Sequence, residues 1–248
     1  MTRVFVNPEM IDESTVTITD TGDIRHITRV LRLGEGDRIE VSDKTEYEYD
    51  CIIASAAEDT IIAEIAAKRK FASEPAVKVT LFQGIPKAGK MEAIVQKCVE
   101  LGIYEIVPVW TERTVVTDKG NFKKKLERWQ KIADEAVKQC RRGIIPSVAK
   151  DAKLAELSFD GYDLVLLAYE NEERQSLKDC LEAIDKKGAE KPKKIAIIIG
   201  PEGGFEEEEV AKALEAGAHA ITLGRRILRT ETAGLAILSV LMFQLENE

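Results

Sequence analysis

The stretch that decides the fold is Ile199-Gly200-Pro201-Glu202-Gly203-Gly204-Phe205, a glycine-rich turn between an apolar and an acidic run. The preceding run, Lys194–Ile199, is apolar and β-branched, which predicts a buried parallel strand. The following run, Glu206–Ala216, predicts a helix that ends at Gly217. The glycines and the proline therefore lie at a strand-to-helix turn, where backbone can approach a ligand closely. The simpler alternative is a tight turn whose acids only favour the helix start.

The charge of this glycine loop, Gly200–Gly204, narrows the class of ligand. The loop contains no lysine and is followed by Glu206–Glu209, so it is unlike a Walker phosphate loop. It also lacks the G-x-G-x-x-G spacing of dinucleotide sites. A turn that exposes backbone but disfavours phosphate suits a nucleoside-like ligand without phosphates. S-adenosylmethionine is such a ligand, because its sulfonium and ammonium groups tolerate nearby carboxylates.

A second informative stretch is the arginine loop, Leu223–Arg229, which follows a predicted short strand, Ala218–Leu223. Thr230 is the predicted N-cap of the next helix, with Glu231 in its first turn. Within that helix, Ala233–Phe243 is apolar on nearly every side, which predicts burial in a core or a subunit interface. The apolar run is too short to span a bilayer.

Taken in order, these motifs resemble one family over most of the chain. G-P-E-G-G-F-E and L-G-x-R-I-L-R-x-E-T-A resemble the knotted SPOUT methyltransferases, and among them the enzymes that methylate N3 of a uridine in 16S ribosomal RNA. The resemblance extends to His26–Arg32, to Lys87–Gly102, to Glu112-Arg113-Thr114 and to Glu135–Arg142.

The resemblance implies an α/β fold with a C-terminal knotted (SPOUT, trefoil) parallel-sheet methyltransferase domain, preceded by a small PUA-like β-barrel that binds RNA. It implies S-adenosylmethionine as cofactor, 16S ribosomal RNA or the small ribosomal subunit as partner, and a homodimer. The knot follows from the resemblance alone, since true knots are rare.

The composition bounds the class of protein. The chain has 248 residues, 44% of them hydrophobic and 32% charged, which predicts a globular protein of one or two domains. The N-terminus does not have the shape of a signal peptide and no apolar run reaches membrane-spanning length, so we expect a cytoplasmic protein without a membrane partner. The four cysteines are far apart and the chain has two histidines, which predicts reduced thiols and no metal site.

The rhythm of apolar residues divides the chain into two predicted domains, 1–72 and 77–248. The first contains five short alternating segments typical of strands, interrupted by one helical piece at Ile24–Leu33. From Val77 onward strands alternate with helices, which predicts a parallel sheet covered on both faces. In such sheets ligands bind beyond the carboxyl ends of the strands, where both loops and the segment Ala168–Asn171 lie.

The net charge of −8 argues against nucleic-acid binding, but the basic residues are clustered. One cluster surrounds His26, and a second extends from Lys119 to Arg142. Local basic surfaces can contact phosphates on an acidic protein, although a solvated helix face is the alternative. The predicted RNA-binding residues are Arg25, His26, Arg29, Arg32, Arg113, Lys124, Lys125, Arg128, Arg141 and Arg142.

The predicted site residues follow from the chemistry of methylating a uridine N3, which must lose or share its proton. Arg229 is the first candidate to stabilise the resulting anion, with Arg113 and Arg142 as alternatives. Glu202 and Glu231 are candidate bases, although each could only cap or orient a helix. The predicted cofactor-binding residues are Leu167, Ala168, Ile199, Gly200, Pro201, Glu202, Gly203, Gly204, Leu223, Gly224, Ile227 and Leu228.

Three other functions remain open from the sequence. A SPOUT methyltransferase could act on another RNA, such as transfer RNA. A non-catalytic RNA-binding assembly protein could keep the fold, which the intact loops disfavour. A nicotinamide oxidoreductase is disfavoured by the glycine spacing.

Overall fold

The computed structural model describes residues 3–118, 120–186 and 191–245; Lys119, the first residue of the predicted basic run, lies outside them. The chain divides into two compact units, Met1–Glu74 with Val137–Ile145, and Pro75–Ala136 with Pro146–Glu248. Residues 137–145 thus group with the N-terminal residues, whereas the predicted ranges 1–72 and 77–248 place them in the second domain. The assignment of those two ranges as functional domains stays a prediction.

The first unit is built on a five-stranded mixed sheet. Its strands are β1 (Arg3–Phe5), β2 (Thr15–Ile18), β3 (Arg38–Ser42), β4 (Tyr47–Ala56) and β5 (Ile61–Lys70). The strand order is β1-β3-β4-β5-β2, with β1 parallel to β3 and the other pairs antiparallel. Irregular pairing between β4 and β5 bends the ladder, as expected where strands begin to form a barrel wall. Isoleucine and valine side chains from all five strands form the core.

A short helix, α1 (Thr21–Arg25), packs on this core and continues as one π-helical turn over His26–Val30. Asp20 caps α1 by accepting a hydrogen bond of 2.8 Å from the backbone N–H of Asp23. Ile24 and Ile27 are buried on the inner face. Arg25, His26 and Arg29 are exposed together with the apolar Val30 and Leu31, which places the first basic cluster in solvent.

The second unit is a parallel sheet covered by helices. Its elements are β6 (Lys78–Gly84), α2 (Lys90–Glu100), β7 (Glu105–Trp110), α3 (Phe122–Cys140), β8 (Ser147–Val148), β9 (Ala152–Lys153), β10 (Leu164–Ala168), α4 (Leu177–Lys186), β11 (Lys194–Ile199), α5 (Glu207–Glu215), β12 (His219–Ile221) and α6 (Thr230–Leu245). The last turn of α3 belongs to the first unit. The strand order is β12-β10-β11-β6-β7-β8, and β9 also pairs with β7.

The central strand β11 explains why this sheet forms. Residues Ile195–Ile199 are all buried, because β11 lies between β10 and β6 and both faces of the sheet are covered. The strand pairs that join β12, β10, β11 and β6 are parallel, so the carboxyl ends of β10, β11 and β12 meet at one edge. After β12 the chain returns so that α6 packs on β6, β11 and α2. Helix α6 therefore returns to the middle of the sheet.

Helix α6, predicted to be buried in a core or a subunit interface, is buried on one face within the single chain. Ile237, Leu238 and Leu241 are buried within the unit, whereas Val240 is 43% exposed and Phe243 is 75% exposed. The predicted burial in a core is confirmed for one face of α6, whereas the other face is accessible to solvent in the single chain, and its burial in a subunit interface stays a prediction. Among the described residues, no helix is long and apolar enough to cross a membrane.

Candidate active site

The carboxyl ends of β10, β11 and β12 surround a cleft of about 480 Å³. The glycine loop forms one wall, the arginine loop another, and the residues after β10 a third. The structure therefore brings together three segments that the sequence only placed at strand ends. The lining residues are Ala168, Tyr169, Glu170, Ile199, Gly200, Pro201, Glu202, Gly204, Phe205, Ile221, Thr222, Leu223, Gly224, Arg226, Ile227, Leu228, Arg229, Thr230 and Ala233.

Most of the predicted cofactor-binding residues line this cleft, with two exceptions. Leu167 is fully buried in β10 and does not line the cleft, whereas the next residue, Ala168, does. Gly203 turns away from it: a Cβ at this position would come within 3.0 Å of the Cβ of Arg113. The sequence missed Tyr169 and Glu170 as lining residues, although it placed their segment at a strand end.

In the wall of the cleft that the glycine loop forms, position 204 must be a glycine. Its φ of 68° is in the left-handed region, which L side chains rarely adopt. A Cβ here would also collide with the carboxylate of Glu170. The glycine therefore leaves space for a carboxylate at the edge of the cleft.

The arginine loop is attached to the glycine loop through Thr230. Its hydroxyl donates to the carbonyl oxygen of Gly200 at 2.6 Å and accepts from Nε2 of Gln83 at 2.9 Å. Thr230 is the first residue of α6 and does not cap it, which corrects the sequence-based prediction. The capping position falls on Arg229, whose carbonyl oxygen accepts from the N–H groups of Thr232 and Ala233.

Lys90, at the start of α2, contacts both predicted bases. Its Nζ lies 3.0 Å from Oε1 of Glu202 and 3.1 Å from Oε2 of Glu231. Partial burial alone would raise the pKa of Glu202, but hydrogen bonds from Lys90 and from the N–H of Lys87 lower it below its ordinary value. The N–H of Glu231 lowers the pKa of its own carboxyl, with Lys90 and Arg229 adding to the effect. Both carboxylates are therefore weaker bases than a free glutamate.

The acids that follow the glycine loop have local structural roles. The carboxylate of Glu209 accepts from the backbone N–H of Glu206, closing a capping box at the start of α5, and from the N–H of Glu112 at 3.0 Å. The carboxylate of Glu206 binds Arg113 in a bidentate pair, at 2.8 and 3.0 Å. Arg113 also donates to the carbonyl oxygen of Gly203 at 3.2 Å. Arg113 thus contacts the glycine loop. The sequence predicted a role in RNA binding for this residue, but not this contact.

The predicted RNA-binding residues of the first unit fall into an exposed and a buried group. Arg25, His26, Arg29, Arg32 and Arg141 are exposed. Arg142 is only 4% exposed, and its guanidinium pairs with Glu74 at 2.8 Å. Its predicted contact with phosphate or base is not supported, because a buried, paired arginine offers RNA no accessible surface.

The predicted RNA-binding residues of α3, which are Lys124, Lys125 and Arg128, lie in the second unit. Lys124 is exposed, whereas Nζ of Lys125 lies 5.7 Å from the ring centre of Phe122. Arg128 is exposed and forms an ion pair with Glu92. Part of this basic face is therefore committed to contacts within the unit.

The charges around the cleft change one argument made from the sequence. The glycine loop has no lysine, but Arg226 and Arg229 of the arginine loop line the same cleft. The rejection of phosphate cannot therefore rest on the glycine loop alone. No group of three histidine, cysteine or acidic side chains able to hold a metal occurs in the described ranges.

Comparison with known protein families identifies two matching domains in the chain. The RNA methyltransferase domain family matches residues 73–242, and the RNA methyltransferase PUA domain family matches residues 18–66. The two-unit architecture and the cleft are thus those of an RNA methyltransferase with a PUA-like N-terminal unit and a SPOUT-type parallel sheet.

Individual relatives narrow this class. The chain is 35% identical to the ribosomal RNA small subunit methyltransferase E of Bacillus subtilis, over 99% of this chain and 98% of the relative, and 34% identical to that of Synechocystis, over 99% and 78%. A crystal structure of the Neisseria gonorrhoeae ribosomal RNA small subunit methyltransferase E bound to S-adenosyl methionine is 30% identical, with a TM-score of 0.81 over 98% of this chain and 97% of that one. The chain belongs to the ribosomal RNA small subunit methyltransferase E family.

Proposed function

We propose that the protein transfers a methyl group from S-adenosylmethionine to N3 of a uridine in 16S ribosomal RNA. The observation that carries this proposal is the cleft between the glycine and arginine loops, joined by Thr230, in a chain of this family. The cofactor is the one named for the Neisseria gonorrhoeae relative. The uridine N3 target comes from the resemblance of the motifs.

The cleft fits such a cofactor by size and chemistry. Its volume of about 480 Å³ is within the range of small-molecule sites. Ile199, Leu223 and Leu228 supply apolar surface for an adenine ring, and backbone is exposed at the glycine loop. Glu170 and Glu202 place carboxylates at the cleft, where they can attract the cationic groups of such a cofactor. When bound, S-adenosylmethionine supplies an electrophilic methyl group on a sulfonium.

Arg229 is the residue that we assign to the substrate. Its side chain is exposed at the cleft, while its backbone is fixed by the first turn of α6. A guanidinium beside O2 or O4 of a uracil would stabilise the negative charge that develops as N3 loses its proton. Because that charge is stabilised, the N3 proton can pass to solvent water and a strong base is not required. Glu202 and Glu231, with lowered pKa values, then orient loops and hold negative charge rather than accept the proton.

The proposed partner is RNA of the small ribosomal subunit, and the proposed location is the cytoplasm. The exposed basic residues Arg25, Arg29 and Arg32 on the PUA-like unit are proposed phosphate contacts, together with Lys124 on α3. These positions supply charge without base-specific geometry, so they would position the RNA rather than read its sequence.

We further propose that the protein acts as a homodimer. The exposed face of α6 carries Val240 and Phe243, which are apolar side chains at adjacent helical positions. A second copy of the chain would remove them from water through a twofold interface.

The decisive test is methylation of small-subunit RNA from a strain that lacks the gene. Purified protein with S-adenosylmethionine should add one methyl group to a single uridine, and nuclease mapping with mass spectrometry should place it on N3. Methylation of transfer RNA instead would support the alternative function, that of a SPOUT methyltransferase acting on transfer RNA. Binding of S-adenosylmethionine with no methylation of either RNA would favour a non-catalytic assembly protein.

A further inference from the structure

One cation contacts two walls of the cleft at once. Lys90 opens α2, and its Nζ binds Glu202 of the glycine loop and Glu231 two residues beyond the end of the arginine loop. The backbone N–H of Lys87, in the turn before α2, donates to the same Glu202 carboxylate at 3.1 Å. The segment between β6 and α2 thus supports both the glycine loop and the start of α6.

The ammonium also separates two like charges. Glu202 and Glu231 each approach the same nitrogen to about 3 Å, so their carboxylates lie close enough to repel one another strongly without it. The side chains of Lys90, Glu202 and Glu231 are 29%, 22% and 32% exposed, so solvent screens the three charges only in part. Removal of the cation should therefore move at least one of the two segments.

We propose that Lys90 is a positioning residue of the methyltransferase site, which fixes the glycine loop against the start of α6 and leaves Arg229 available to the substrate. This inference rests on the function proposed above. The other cation whose charge acts on the Glu231 carboxylate is that of Arg229. With Lys90 present, Glu231 already has a partner. Without it, Glu231 attracts the Arg229 guanidinium, which then leaves the position where it meets the uracil.

The protonation of the Glu202 and Glu231 carboxylates gives a second way to test the role of Lys90. Lys90 favours the ionised form of both carboxylates, and Arg229 favours that of Glu231. Loss of the Lys90 charge raises the pKa of Glu202 and Glu231, so they become protonated at a higher pH. The acidic limb of the pH–activity profile should therefore shift to higher pH.

The test compares Lys90→Met, Lys90→Arg and a matched control, Lys97→Met. Lys97 is on the same helix and also pairs with a glutamate, Glu100 at 2.9 Å, but its ion pair lies within α2. Affinity for S-adenosylmethionine is measured by calorimetry without RNA, and kcat, KM and the pH profile are measured with RNA.

We expect Lys90→Met to lower kcat by about tenfold or more, because the charged groups around the substrate would no longer be preorganised. KM for RNA should change little, and the acidic limb should move to higher pH. Lys90→Arg should restore part of kcat and the wild-type pH limb, while Lys97→Met should match the wild type throughout.

Two results would overturn the proposal. The first is a Lys90→Met enzyme with the kcat and pH profile of the wild type. The second is an equal loss in Lys90→Met and Lys97→Met with equal falls in melting temperature, which would show only general destabilisation of α2. Failure of the wild-type protein itself to bind S-adenosylmethionine would instead reject the proposed function, and this inference with it.

Discussion

The hydroxyl of Thr230 donates a hydrogen bond of 2.6 Å to the carbonyl oxygen of Gly200, so the first residue of α6 is bonded to the first residue of the glycine loop. The same hydroxyl accepts from Nε2 of Gln83 near the end of β6. Three segments that are distant in the chain thus share one buried oxygen atom, and this oxygen sets how the two loops face each other.

Thr230→Val should test this junction, because valine keeps the shape and removes the hydroxyl. The partly buried Gly200 carbonyl and the buried Gln83 amide each lose a hydrogen bond, which should cost about 1–3 kcal/mol of stability. Affinity for S-adenosylmethionine should fall as well. Chemical denaturation and calorimetry measure the two effects, and Thr230→Ser, which retains the hydroxyl, should stay near the wild type in both. Wild-type affinity in Thr230→Val would show that the junction does not shape the cleft.

Gly204→Ala should weaken cofactor binding through Glu170. The new Cβ forces the Glu170 carboxylate out of its place at the cleft, in addition to straining a residue with φ of 68°. Gly161→Ala is the matched control, since Gly161 has φ of 81° but nothing within 4 Å of a Cβ. Both variants should lose about 1 kcal/mol of stability from the left-handed backbone, and only Gly204→Ala should lose cofactor affinity by calorimetry. Equal affinities in the two variants would remove Glu170 from the site.

The sequence predicted much of this architecture because its signals are local. The buried strand Lys194–Ile199 and the helix after the glycine loop were predicted from the local sequence and are confirmed. The strands β8 and β9 were missed, since two residues are too few to show a period.

The contacts that organise the site could not be predicted in the same way. The pairs of Lys90 with Glu202 and of Arg113 with Glu206 join side chains far apart in the chain, and such pairs impose no spacing on the sequence. The burial of Arg142 could not be foreseen for the same reason, because its partner Glu74 is distant in the chain. The motifs could mark these positions as informative without giving their partners.

Charge reversal on α3 should test the basic face. Lys124→Glu should weaken RNA binding and reduce the slope of log affinity against log salt by about 0.7–0.9 for each phosphate that is no longer neutralised. Lys125→Glu and Arg128→Glu should do so less cleanly, because Lys125 lies near the Phe122 ring and Arg128 pairs with Glu92. Lys178→Glu, on α4, is the control. An unchanged slope in Lys124→Glu would mean that this part of α3 is a solvated face.

The proposed dimer predicts opposite behaviour for neighbouring residues of α6. Val240→Asp and Phe243→Asp, on the exposed face, should give a folded monomer by sedimentation. Leu241→Asp should instead unfold the protein, because Leu241 is fully buried in its own chain and a buried unpaired charge is strongly destabilising. A wild-type mass near 27.6 kDa at working concentration would contradict the dimer.

The sharpest prediction concerns Arg229, whose carbonyl oxygen is bonded to the first turn of α6 while its guanidinium is exposed at the cleft. The backbone is held, so the charge can be preorganised for a uracil that becomes anionic. Removal of one such donor typically costs about a hundredfold in turnover. Arg229→Ala should therefore lose most methylation while keeping its melting temperature and most of its affinity for S-adenosylmethionine.

Arg229→Lys separates charge from geometry. A lysine supplies a point charge without the planar fork of donors, so it should restore little activity. Rapid-quench turnover with excess RNA measures the chemical step, and calorimetry measures the cofactor. Near-normal turnover in Arg229→Ala would end the catalytic assignment. A loss confined to cofactor affinity would move Arg229 to the cofactor site. Of the sequence-based alternatives Arg142 is buried, so Arg113 would become the next candidate, through its contact with the glycine loop.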